Sequence, residues 1–226
     1  MVEAVVAPAA GRVVLVAGAT GLVGREVLAA LLADKNTLAI HTIGRRPTGV
    51  RDPKLTEHQV TDLTAIQAEL PALDDVYIAL GTTIKVAGSK AAFRAIDLDA
   101  VLAVARAARK AGATRAGVVS AMGANPRSPV FYNQVKGEME QQLASLGFTS
   151  LVIARPSLLD GDRSALQQPG RAAEGAGLAL MRLLRPVIPA NYRAVRAADV
   201  ARALVHAVQQ ARPGTRLLLS GEMHPA

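Results

Sequence analysis

The stretch 12-RVVLVAGATGLVG-24 decides the reading of this chain. Six residues rich in β-branched and aliphatic side chains lead into three glycines spaced three apart, and an apolar run with helical spacing follows, 22-LVGREVLAALLA-33. A buried strand delivers the chain to Gly18, which permits a tight turn. Gly21 lets the backbone approach a pyrophosphate, and Gly24 lets the helix pack closely. The backbone N–H groups around Thr20, Leu22 and Val23, together with the positive end of the helix dipole, then face an anion. No Lys-Ser or Lys-Thr follows, so the turn is not a nucleoside-triphosphate loop. It is the turn of a dinucleotide-binding unit.

The rest of the chain repeats that alternation. Candidate strands fall at 12–18, 38–44, 56–60, 75–80, 115–120, 150–155 and 215–220, and between them 22–33, 89–112, 132–146 and 198–210 space apolar residues as one buried helix face requires. Strands alternating with helices predict a doubly wound parallel sheet, a Rossmann-like α/β/α sandwich of three layers. Residues 1–11 read as an Ala/Pro/Val leader, and 12–226 as a single domain that includes a substrate-loop region at 155–195.

Composition narrows the functions. The 226 residues are 50% hydrophobic, enough for a core, and contain no cysteine, which excludes disulfides, thiolate metal sites and a cysteine nucleophile. His41, His58, His206 and His224 lack metal-ligand spacing, so no metal is expected. The net charge of +8 is dispersed, and aromatics make up 3% of the chain. Both features argue against nucleic acid and leave a basic surface suited to phosphorylated ligands. The leader carries Glu3 and no basic n-region, and no apolar run reaches about 18 residues, so neither secretion nor a membrane span is expected. The expected location is cytoplasmic.

The second strand ends in 44-GRRPTG-49, where an NAD enzyme usually places an acid for the ribose 2′-hydroxyl. Arg45 and Arg46 stand there instead, and no carboxylate lies between Asp34 and Asp52. A guanidinium fork suits a 2′-phosphate, which predicts NADP(H) over NAD(H). Further on, Tyr132 and Lys136 are four apart on a predicted helix and share a face. Ser120 ends the fifth strand, at the sheet edge where ligands bind. Tyr132 is placed to give a proton to a carbonyl oxygen that receives a hydride, and the Lys136 ammonium would favour the phenolate in the reverse direction. Ser128 is a second candidate serine, but a loop holds a hydroxyl less firmly than a strand end.

Taken with 79-ALGTT-83 and 155-RPSLLDGDR-163, these motifs resemble the atypical short-chain dehydrogenase/reductases, in the Tat-interacting-protein branch, over residues 12–220. The resemblance implies that Leu80, Gly81, Thr82 and Thr83 line the nicotinamide side and that Asp62 and Leu63 approach the adenine. Asp62 could equally cap a helix beginning at Leu63. It further implies that Lys136 holds the nicotinamide ribose, that Ser120 hydrogen-bonds the substrate oxygen, and that Pro156, Ser157 and Leu158 lie beside the nicotinamide under a closing loop. In 178–192, Leu180, Met181, Leu184, Val187 and Tyr192 leave room for a modestly apolar substrate. The expected activity is oxidation of an alcohol or reduction of a carbonyl on a small molecule. A non-catalytic NADP(H) sensor is the alternative, whereas a nucleotide-sugar epimerase would need more chain after the sixth strand. Helices 89–112 and 132–146 offer faces for a homodimer as readily as for the sheet.

Overall fold

The structure, a computed structural model, describes residues 11–66, 68–160, 191 and 193–224. The leader 1–10 and residues 161–190 and 192 lie outside the described residues, and with them the expectations for Leu180, Met181, Leu184, Val187 and Tyr192. In chain order the elements are β1 (Arg12–Ala17), α1 (Leu22–Ala33), β2 (Thr37–Gly44), β3 (Leu55–Gln59), β4 (Asp75–Ile78), α2 (Ile84–Ala87) and α3 (Lys90–Arg94). A π-helical turn (Ala95–Ala100) leads into α4 (Val101–Lys110). There follow β5 (Arg115–Val119), α5 (Phe131–Ala144), β6 (Ser150–Arg155), β7 (Leu159–Asp160), β8 (Val195–Arg196), α6 (Ala197–Gln209), β9 (Gly214–Leu219) and α7 (Ser220–Met223).

Seven strands form a parallel sheet in the order β3-β2-β1-β4-β5-β6-β9. Strand order reverses between β1 and β4, and this opens a crevice at their carboxyl ends. Alternation along the buried strands divides the core. Val14 and Val16 of β1 pack with Val27, Leu31 and Leu204 of α1 and α6, whereas Leu15 and Ala17 face Val101, Val104 and Val135 of α4 and α5. The expected three layers are present. At the opposite, amino edge, Asp75 opens β4 between two arginines that open β1 and β5, accepting Arg12 Nη2 at 2.5 Å and Arg115 Nε at 2.7 Å.

Two expected helices differ. The stretch read as one helix over 89–112 is α3, a π turn and α4, because one widened turn leaves the average apolar spacing almost unchanged. No helix begins at Leu63. Asp62 instead takes the amide and hydroxyl of Thr64, at 2.8 and 2.7 Å, in a tight local turn. Leu63, Ile66 and Leu70 pack against the core without helical hydrogen bonding. The two-stranded pairing of β7 with β8 was not expected from sequence.

Tyr77 is fully buried in β4, and its hydroxyl has no hydrogen-bond partner among the described residues. Burial, reinforced by Asp75, pushes the phenol well above its ordinary range, so it stays neutral. An unpaired buried hydroxyl costs about 1–3 kcal/mol of desolvation. Tyr77→Phe is therefore expected to hold or raise stability in urea unfolding. A loss above about 1 kcal/mol would mean that the hydroxyl has a bound partner such as water.

Candidate functional site: a dinucleotide cleft and the face of α5

The turn after β1 is built from contacts that exclude a side chain. Gly18 has φ +83°, and a Cβ there would stand 2.6 Å from the Ala79 carbonyl. At Gly24 a Cβ would lie 2.0 Å from the Gly18 oxygen, so α1 packs on the turn itself more tightly than on the sheet. Gly21 caps α1 with no side-chain hydrogen bond, and the first turn holds no acid. The helix's opening N–H groups around Leu22 and Val23 are thus left for an anion, although the Val23 side chain is buried in the core.

A cleft of about 960 Å³ runs from this turn along the carboxyl ends of the strands. It is lined by Gly18, Thr20, Gly21, Arg45, Arg46, Asp62, Leu63, Leu80, Gly81 and Thr82 among the expected residues. Leu22, Val23, Gly24, Thr83, Ser120, Tyr132, Lys136, Pro156, Ser157 and Leu158 do not line it. Arg45 and Arg46 are exposed and have no ion-pair or hydrogen-bond partner among the described residues. Two further cleft residues, Glu57 and His58, come from β3. His58 Nε2 lies 3.0 Å from Nδ1 of His41, and burial together with the neighbouring ring pushes His41 below its ordinary range. His41 therefore adds little positive charge beside the two arginines. Hydrogen bonds from the Thr64 amide and hydroxyl hold the exposed Asp62 carboxyl below its ordinary range, keeping it ionised.

These features fit a dinucleotide. Uncapped helix amides face where a pyrophosphate would lie, two glycines permit its approach, and two unpaired guanidinium groups stand where the adenosine end would reach. Among the described residues, no group of three or more His, Asp or Glu could hold a metal.

The other end of the cleft is tied to α5. Asp97, carried inward by the π turn, pairs with Lys136 Nζ at 2.7 Å and accepts the Thr82 amide at 2.9 Å. Both side chains are almost wholly buried, 0% and 4% exposed, so the pair is sealed beneath the cleft floor at Gly81. Thr83 is spent as the cap of α2, accepting the Val86 amide. Tyr132 is partly buried, its ring centroid 5.3 Å from Phe93. The loop before it lies directly on α5, since a Cβ at Gly137 would meet Asn125 and Pro126 at 2.2 Å.

Ser120 is held differently from expectation. Its hydroxyl donates to Glu140 Oε1 at 2.5 Å, and Arg155 Nε reaches the same carboxylate at 3.0 and 3.2 Å. As placed, the Ser120 proton points at Glu140 and only its lone pairs remain. Ser128 accepts the Val130 amide in a local turn. Pro156, Ser157 and Leu158 fasten the end of β6: Pro156 accepts the Met122 amide, the Ser157 amide donates to Ser220, and Leu158 accepts the Val195 amide.

Asp97, Glu140 and Glu57 were missed by sequence reasoning. Glu140 continues the Tyr132–Lys136 spacing by another four residues, about 6 Å per step along one face of α5. That repeat, and an acid amid the apolar 95–105 stretch, were the available signals.

Comparison with known proteins places this geometry. Residues 18–211 match the family model described as NAD(P)H-binding. Among curated proteins, the one named fmp52, mitochondrial, of Emericella nidulans is 38% identical over 154 residues, 65% of this chain and 66% of that protein. The chain thus spans just under two thirds of that relative's length. FMP52, mitochondrial, of Chaetomium globosum is 34% identical over 74% of this chain and 75% of its own. Among solved structures, a short chain dehydrogenase family protein from Francisella tularensis superposes with a TM-score of 0.69 at 16% identity, covering 94% of this chain and 99% of that one. MoeE5, in complex with UDP-glucose and NAD, gives 0.68 at 20% identity over 91% and 74%. These two show the fold alone.

The mitochondrial name of the curated relatives contradicts the cytoplasmic location expected from sequence. That expectation rested on a leader without a secretory signal's basic n-region and on the want of a spanning segment, which speak to secretion and spanning and do not exclude import into an organelle. No helix among the described residues is long and apolar enough to cross a membrane. With a family match over most of its length, a glycine turn closed to side chains and a cleft at the switch point of a doubly wound sheet, the chain belongs to the NAD(P)H-binding family.

Proposed function

We propose that the chain is an NADP(H)-dependent oxidoreductase that interconverts a carbonyl and an alcohol on a small molecule. The observation that carries this reading is the tie from Thr82 through Asp97 to Lys136, which joins the far end of the cleft to the face of α5 bearing Tyr132. Bound NADPH would supply the hydride. Tyr132 gives its phenolic proton to the substrate oxygen, and the Lys136 ammonium one helical turn along steadies the phenolate that remains. Ser120, whose hydroxyl donates to Glu140, offers its lone pairs as an acceptor to the alcohol form. Arg45 and Arg46 take the adenosine 2′-phosphate.

A second reading is a protein that binds NADP(H) as a signal. Its support is that Ser120 and Lys136 are already engaged, with Glu140 and Asp97. Hydride transfer separates the two. NADPH oxidation with a panel of aldehydes and ketones, and NADP⁺ reduction with the matching alcohols, are measured for wild type and Tyr132→Phe. The enzyme reading expects turnover by wild type and its loss in the variant, with NADPH affinity retained. Tight binding by both proteins without turnover of any compound would leave the sensor.

A further inference from the structure

Glu57 is a carboxylate lining the same cleft as Arg45 and Arg46, two arginines with no ion-pair partner among the described residues, and the ligand proposed for that cleft is anionic. Near a 2′-phosphate it would be expected to repel, and near a ribose 2′-hydroxyl to favour NAD. Its contacts point elsewhere. Glu57 Oε1 accepts both the amide of Thr48, at 2.8 Å, and the Thr48 hydroxyl. Neither Arg45 nor Arg46 pairs with it among the described residues. The Thr48 hydroxyl in turn accepts the Val50 amide at 3.2 Å, so three bonds converge on this corner.

The span between is short and stiff. Gly44 ends β2 in the ladder, its carbonyl accepting the Val60 amide at 3.0 Å. Pro47 has a fixed φ and restricts the residue before it, Arg46, to extended conformations. With Gly44 held by the sheet and Thr48 held by Glu57, the backbone of Arg45 and Arg46 is fixed at both ends.

We propose that Glu57 is a specificity-determining positioning residue: it pins Thr48 so that Arg45 and Arg46 are preorganised for a 2′-phosphate, and it acts for NADPH although its own charge opposes the ligand. The ligand group it serves is a phosphate monoester dianion on the adenosine ribose. Preorganisation strengthens binding by removing the ordering cost from the complex, and here that gain falls on the phosphorylated cofactor alone.

Because this role rests on the NADP(H) reading, titration of wild type with NADPH and NADH comes first, followed by NADH against NADPH for Glu57→Gln, Glu57→Ala and Thr48→Val. Adenosine 2′,5′-bisphosphate serves as a fragment probe that needs no nicotinamide. The pin predicts that Glu57→Ala weakens NADPH and the bisphosphate about three- to tenfold, leaves NADH within about twofold, and is not additive with Thr48→Val. Thermal melts of each variant show that the fold persists. If wild type prefers NADPH but Glu57→Gln and Glu57→Ala bind it more tightly, Glu57 is a repelling charge and the pin is wrong. If Glu57→Ala weakens NADH as much as NADPH, the residue holds the shared ribose and the pin is again wrong. Equal wild-type affinities overturn the NADP(H) reading, and the pin with it.

Discussion

Lys136→Met lowers stability by about 3–5 kcal/mol, a fall of roughly 6–20 °C in melting temperature for a domain of this size. The reason is the company the ammonium keeps. Asp97 is fully buried, and among the described residues its only other polar contact is the Thr82 amide, so removal of Lys136 leaves a carboxylate without a counter-charge under the cleft floor. The same cost falls on Asp97→Asn, which strands the ammonium. Asp97→Asn combined with Lys136→Met removes both charges and keeps an acceptor for Thr82, and is expected to recover most of the loss. Urea unfolding of the four proteins measures the coupling directly. Single variants within about 1 kcal/mol of wild type would contradict a sealed pair. Any lost turnover in a Lys136 variant must accordingly be read beside its stability, because structure and chemistry meet in one side chain.

Gly24→Ala abolishes useful cofactor binding, weakening NADPH more than about tenfold, and costs about 1–3 kcal/mol of stability. The new methyl would sit 2.0 Å from the Gly18 oxygen and 3.1 Å from the Ala19 Cα, both backbone atoms that cannot swing aside. Relief requires α1 to lift from the turn, and with it the amides that would face a pyrophosphate. Gly147→Ala is the control: its φ is +73° but nothing lies within 4 Å, so it carries only the left-handed backbone cost of about 1–2 kcal/mol. NADPH titration that finds Gly24→Ala and Gly147→Ala equally competent would refute the close turn as the anion site.

Most of the fold could be read from the sequence because parallel strands buried on both faces leave long apolar runs. The strand expected at 12–18 is Arg12–Ala17, and that at 150–155 is Ser150–Arg155. The glycine turn was equally plain, since its demands are local to a few residues. Local pattern failed where a local competitor won. At Asp62, a residue suited to capping a helix bonds Thr64 and makes a turn. The site's side-chain pairings were beyond reach for another reason: Asp97 with Lys136, Ser120 with Glu140 and Thr48 with Glu57 join separate elements. A sequence places Ser120 at a strand end but does not say which way its proton points.

The π turn at Ala95–Ala100 has a bearing on how such chains diverge. A π turn spends one residue more than an α turn, so deleting one residue there would let regular helix form while Val101 and Val104 still face the core. The loss would fall instead on Asp97, which the widened turn carries inward to Lys136 and the Thr82 amide. Among relatives, a one-residue gap in this stretch is expected to go together with loss of the acid at the position of Asp97.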